Sequence, residues 1–273
     1  MLQMVLQNSI SGMAMGLLYG VIGIGVCLFW QTTGLINFAH ISSAMLGAYF
    51  FYTFHVMWNL PIVIAFVLAV ALVALYGILI LRGVVYRQIM GRKGGRLEFI
   101  VATMMLNIFL LNLTIVLWGG VPYPFPNIFG SPMNPLRIGG ITIQHHSLWV
   151  LGFTVALVIG LNYFFKRTLT GKALRATAQN KDTASLMGIG VEKMTALSFA
   201  MSTGVTAIAG ILLAPIYFVS VELGGGIIGI KGFASAVIGG LTNPFGALVG
   251  GLLIGLTENF SVFYISSSYR DVI

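Results

Sequence analysis

The chain has 273 residues, 58% of them hydrophobic and only 7% charged, and its mean hydropathy is +0.98. A soluble domain carries roughly 25% charged residues; too few are present here to clothe a water-facing surface, so the solvent is lipid. The net charge of +8 raises nucleic acid as a partner class, but the basic residues fall in gaps between apolar runs and not on a soluble basic face, which argues against it.

The apolar runs are continuous and about 20 residues long, which selects membrane helices over barrel strands. No Lys or Arg precedes Arg82, so the basic n-region of a signal peptide is missing and the first span is expected to be retained. That span is predicted over 9–30. Gly12, Gly16 and Gly20 recur on one face at a four-residue spacing, the pattern of a close helix-packing seam, expected within the chain. The lone cysteine, Cys27, reads as a small buried hydrophobe and excludes a disulfide framework or thiolate cluster within the chain.

Spans are then predicted over about 41–57 and 61–81, followed by a loop at 82–97 with Arg82, Arg87, Arg92, Lys93 and Arg96. The next span covers about 98–118. Residues 119–146 hold five of the eight prolines, which forbid a helix there; an ordered extracytoplasmic loop is expected, with a small β-hairpin at "LRIGGITI" (136–143). His145 and His146 are adjacent and lack a metal-ligand helix spacing, so solvated interface histidines are expected. A span at about 147–165 leads to a second basic loop, 166–193, and the next span runs over about 194–219. The remainder is Gly-rich and broken. Residues 227–240 are too short to cross fully, and a longer run follows at about 245–265. Eleven of the 14 basic residues lie in the two basic loops, which places both in the cytoplasm. The N-terminus is then outside if 9–30 and 41–57 each cross once. The chain reads as one all-α transmembrane domain, 1–273, a polytopic bundle with broken or re-entrant segments.

Two interruptions resemble each other. "GLINFAHISSA" (34–44) and "GIKGFASAVIG" (229–239) share Gly34, Phe38 and Ala39 with Gly229, Phe233 and Ala234. Paired Gly-interrupted segments point to a translocation site in transporters built from repeats. Asn37, Phe38, His40, Phe233, Thr257 and Glu258 are the path candidates. Glu258 is the strongest of the six acids because it lies within an apolar run, although a helix-packing hydrogen bond or a span end would also explain it. Asn37 would cap a broken helix or meet substrate, the cap being favoured. Glu222 reads as a loop cap or a binding-protein contact. No catalytic set is legible. "TLTGKA" (168–173) fails as a phosphate-binding loop, because Ala173 replaces the Ser/Thr and Lys166 the first Gly.

Asp182-Thr183-Ala184 followed by Gly188 resembles the E-A-A-x-x-x-G motif of ABC importer permeases, a short helix along the membrane that docks into an ATPase. With "GLINFAH…MLGAY" (34–49), "VYRQIMGRKGGRLEFIVATMMLNIFLLN" (85–112) and "KGFASAVIGGLTNPFGALVGGLLIGLTE" (231–258), the chain resembles the branched-chain amino acid ABC importer permeases, first-subunit type. Ile41 stands where that family usually has Gly, and the resemblance implies a further apolar span beyond residue 273. It implies a multi-pass protein of the cell (inner) membrane, paired with a homologous second permease subunit. It also implies two ATPase subunits holding the ATP and Mg, and an extracytoplasmic binding protein. No cofactor is expected in this chain. Implied substrates are branched-chain or other amino acids, urea, amides and aromatic acids. Arg175, Gln179, Asp182, Thr183, Ala184 and Gly188 become the implied ATPase-coupling residues. The alternative is an ion-coupled secondary transporter, which needs midplane acids; only Glu258 is placed for that.

Overall fold

The computed structural model describes residues 2–91, 95–125, 136–138, 141–143 and 145–264. Seven helices among them are long and apolar enough to cross a membrane. The first, α1 (Leu2–Thr33), outruns its predicted bounds because nothing in its flanks breaks a helix. It stops where Gly34, at φ +66°, donates its N–H to the Trp30 carbonyl at 2.7 Å, a left-handed cap that favours glycine.

The chain does not then turn straight into a second span. It runs extended to a 3₁₀ turn, Phe38–His40, and enters α2 (Ser42–Tyr52), which continues as a π turn, Thr53–Met57. His40 lies beside Gly25, about 12 Å back along α1 at a rise of 1.5 Å per residue. The interruption therefore returns into the bundle before helix resumes, and residues Ser42–Tyr49 and Phe51 are buried by protein. Continuous hydrophobicity marked 41–57 as apolar, yet could not distinguish a lipid-facing span from a helix enclosed by others.

A long helical hairpin follows. It comprises α3 (Ile62–Tyr76) with a π stretch, Gly77–Tyr86, then α4 (Arg87–Gly91) and α5 (Arg96–Trp118). Strands β1 (Leu136–Ile138) and β2 (Ile141–Ile143) pair antiparallel, Leu136 opposite Ile143; the prolines at 126, 132 and 135 lie outside the described residues. Helix α6 (His145–Arg167) begins at the two histidines, which are half-buried rather than fully solvated. Two short helices, α7 (Leu169–Gln179) and α8 (Lys181–Leu186), precede α9 (Val191–Tyr217). The Gly-rich tail forms α10 (Glu222–Gly225), α11 (Ile227–Gly239) and α12 (Pro244–Tyr264). Together α10 and α11, Glu222–Gly239, count among the seven crossing-length helices, so the segment expected to be too short to cross is long enough once α10 is added.

Helices α1 and α9 form the buried centre, while α3, α5 and α6 turn residues such as Val63, Val116 and Ile159 outward. The glycine stripe of α1 meets α12 backbone to backbone. A Cβ on Gly16 would stand 2.6 Å from the Gly251 carbonyl oxygen, and one on Gly255 2.4 Å from the Gly16 Cα. Only glycine permits that approach. A second contact of the same kind joins α2 to α9, where a Cβ on Gly210 would lie 1.9 Å from the Ala44 carbonyl oxygen.

The two ends of the bundle are set apart by chemistry. At one end the C-terminus of α1 meets the start of α9 through Thr32 and Ser198, whose hydroxyls are 2.6 Å apart. There also Arg82 donates to the Glu192 carbonyl at 2.9 Å and Gln31 to that of Thr242 at 2.7 Å. At the other end the Trp118 indole donates to the Thr53 hydroxyl at 2.8 Å, and Tyr123 bridges to Val219.

Candidate functional site

Segments 34–44 and 229–239 meet, but only the first is interrupted: 229–239 is continuous helix within α11, and the extended residue is Gly226 before it. The Phe38 and Phe233 rings stack with centroids 5.9 Å apart. A Cβ on Gly229 would fall 1.9 Å from Ile41 Cγ2, so α11 packs directly on the end of the break. Non-helical backbone at membrane depth must be satisfied by protein. Here the Phe38 N–H donates to Thr103 Oγ1 at 3.2 Å, the Leu35 N–H donates to Thr33 Oγ1, and Ser42 hydrogen-bonds Asn107.

His40 is fully enclosed. Ser202 Oγ donates to the Gly25 carbonyl at 2.8 Å, so it accepts from His40 Nδ1–H at 3.1 Å. Nε2 then accepts from the Thr206 hydroxyl at 2.6 Å. With both nitrogens engaged by α9 and only 1% of the residue exposed, His40 is a strut that fixes the break to α1 and α9, with no free polar atom for a solute in this arrangement. Asn37 differs. It occupies the N-cap position of the 3₁₀ turn but makes no side-chain cap bond, so the expected capping role is not realised. Its amide is buried, and neither polar atom has a partner among the described residues. An unmade hydrogen bond on a buried amide costs about 1–3 kcal/mol, which marks it as a group waiting for a ligand or a neighbour.

About 20 Å along α1 from its basic end (14 residues back from Thr33) lies a charged cluster. Lys231 of α11 and Glu258 of α12 form an ion pair at 3.2 Å, with side chains 8% and 2% exposed. Tyr19 donates to Glu258 Oε2 at 3.0 Å, and its hydroxyl is 3.4 Å from that of Tyr217. Helices α1, α11 and α12 thus meet at one carboxylate, and α9 joins them through the Tyr19 hydroxyl. Tyr19, Tyr217, Lys231 and Glu222 line an open pocket of about 290 Å³. Thr257 stands apart. It is exposed, and its hydroxyl folds back on the Leu253 and Ile254 carbonyls at 2.8 and 2.9 Å. Reading the sequence for acids alone had missed Lys231, although a cation inside "GIKGFAS" was its own signal.

At the basic end, α7 and α8 lie against the ends of α1, α6 and α9, with Leu174, Thr177 and Ala184 buried. They do not form one helix over 171–188. Asn180 is extended between them, and its Oδ1 accepts from the Thr183 N–H at 3.0 Å, capping α8. Gly188, at φ +78°, closes α8. The Ile189 N–H donates to the Ala184 carbonyl and the Gly188 N–H to that of Ser185, each at 3.0 Å. This is a Schellman termination. Ala184 is buried against the bundle, whereas Asp182 and Thr183 are exposed and Leu186 and Met187 project at 88% and 78% exposure. Gln179 is exposed at the end of α7, and Arg175 points to a crevice lined by α1, α6 and α12. Among the described residues no group of three or more His, Cys, Asp or Glu is placed to hold a metal.

The family described as "Branched-chain amino acid transport system / permease component" matches residues 8–273. The high-affinity branched-chain amino acid transport system permease protein LivH of Escherichia coli (strain K12) is 32% identical, over 98% of this chain and 89% of its own length. The LivH protein of Salmonella typhimurium is 31% identical over the same shares, and BraD of Pseudomonas aeruginosa is 31% identical over 98% and 90%. No solved structure matches. A multi-pass helical bundle with a Gly-mediated core, matched along nearly its whole length, this chain belongs to the branched-chain amino acid transport system permease family.

Proposed function

We propose that the chain is a transmembrane subunit of an ATP-driven importer in the cell (inner) membrane. It moves branched-chain amino acids, or a related small solute such as urea, an amide or an aromatic acid, delivered by an extracytoplasmic binding protein. ATP is hydrolysed on partner subunits. The observation that carries this reading is the α7–α8 unit. A chain without its own phosphate loop needs a contact through which hydrolysis elsewhere reaches its helices. The α8 tip offers one: Leu186 and Met187 are apolar knobs at the basic end, and large apolar groups exposed at a loop tip mark an interaction site. The Gly188 termination fixes their direction.

The path is assigned to the meeting of the break at 34–41 with α11, completed by a second permease subunit on the apolar outer face of α11, where Ile230, Val237 and Ile238 are exposed. A mostly apolar wall with one orphan amide, Asn37, suits passage of a small solute that must not bind tightly. The alternative of ion-coupled transport needs an intramembrane acid open to an ion. Glu258 is already neutralised by Lys231 and bonded by Tyr19, which favours the ATP-driven reading.

The test is Gly188→Val in proteoliposomes containing the copurified assembly. A Cβ there meets open space, so the change acts through backbone conformation alone. Transport and binding-protein-stimulated ATPase activity are expected to fall together, about tenfold or more, with assembly intact. Full transport by the intact complex would show that α8 is an ordinary surface loop.

A further inference from the structure

A crevice of about 230 Å³ opens between α1, α6, α7 and α12. Its two ends differ in chemistry. Lys166, at the end of α6, and Arg175, on α7, stand at the mouth with Gln31, whose amide is already donating to Thr242. Ile24, Val158 and Leu248 form the deep wall. Both cations are exposed, and among the described residues neither forms an ion pair. From Lys166 to Val158 along α6, and from Gln31 to Ile24 along α1, the crevice runs about 10–12 Å into the bundle at a rise of 1.5 Å per residue.

We propose that this crevice binds one anionic phospholipid, its phosphate held between Lys166 and Arg175 and the first part of one acyl chain laid along Ile24, Val158 and Leu248. Charge and the apolar wall together decide the occupant. A partner helix would cover the wall without supplying an anion to the two cations. A free phosphate would use the cations and leave the apolar wall uncovered. A zwitterionic lipid would fill the wall but bring no net charge to two cations. Basic sites between membrane helices on the side that carries the positive loops hold anionic headgroups. Because Arg175 belongs to α7, the lipid would tie the α7–α8 unit to α1 and α12.

The experiment uses the protein extracted in the assembly in which it is expressed. The assembly is exchanged into vesicles of equal parts phosphatidylglycerol and phosphatidylcholine, and retained lipid is then measured by native mass spectrometry. The wild type is expected to keep phosphatidylglycerol in preference to phosphatidylcholine. The charge variant K166Q/R175Q is expected to lose that preference about tenfold, while Lys172→Gln, on the same stretch but outside the crevice, keeps it. Val158→Trp, which fills the wall and leaves both cations, is expected to lose retained lipid of either headgroup. Equal retention of phosphatidylglycerol by wild type and K166Q/R175Q would overturn the proposal. So would full displacement by millimolar inorganic phosphate, which would reassign the cations to a soluble anion.

Discussion

Lys231 and Glu258 test how far a buried pair stabilises a membrane bundle. Removing one partner leaves an uncompensated buried charge, which costs about 3–5 kcal/mol, whereas replacing both by neutral groups of similar shape is far milder. Lys231→Met and Glu258→Gln are each expected to lower the melting temperature of the purified assembly strongly. The double variant should recover most of the loss, as followed by thermal scanning in detergent. A double variant that is stable but transport-dead would assign the pair to the path and not to the scaffold. A double variant as unstable as either single would deny the pairing energy. The pair was half legible in the sequence. Glu258 stood out as an acid in an apolar run, but its partner lies 27 positions earlier on another helix, and no periodicity connects α11 to α12. Asn37 failed differently: a polar residue before a helical turn is a sound cap on local grounds, yet the amide is turned into the packing of the break and bonds nothing described.

At the scale of elements, the glycine pattern of α1 was readable because small residues at four-residue spacing have a physical meaning wherever helices touch. Gly246 with Gly250 and Gly251 with Gly255 read as seams of the same kind, but only packing shows that Gly251 and Gly255 face α1 while Gly246 and Gly250 face α11. Gly16→Ile would drive a branched side chain into the α12 backbone and is expected to prevent recovery of folded protein. Gly152→Ile on α6 meets nothing within 4 Å and should be recovered at wild-type yield, measured by size-exclusion profile after detergent extraction. Equal yields from the two would mean that α1 and α12 do not touch. The break at 34–41 was legible as an interruption but not in its course. Gly34 announced the end of α1, while the return beside Gly25 depends on His40 finding two hydroxyls on α9.

For the whole molecule, the orientation expected from the basic loops can be read directly because the native Cys27 is buried and should stay silent to reagents. A cysteine at Val121 is expected to react with a membrane-impermeant maleimide in intact cells. One at Leu186 should react only after the membrane is opened. The reverse pattern would invert the topology and remove α8 from reach of a cytoplasmic ATPase. Arg82, Lys166 and Arg175 gather where α1 ends and α9 begins, away from Trp118 and Tyr123, so the labelling reads two distinct ends of the bundle.

The seam between α1 and α12 also has a meaning in time. The ribosome delivers α1 first, yet the surface that covers its glycine stripe belongs to the last described helix, and much of the rest of its coat comes from α9 and α11. Until residues 244–264 have entered the bilayer, the centre of the protein is a helix with its packing face open to lipid. The core therefore closes only once α12 has been inserted, and nascent chains stalled before α12 should be targets for membrane quality control. A pulse-chase comparison of the full chain with a chain ended at residue 241 would measure this as a shortened half-life of the latter.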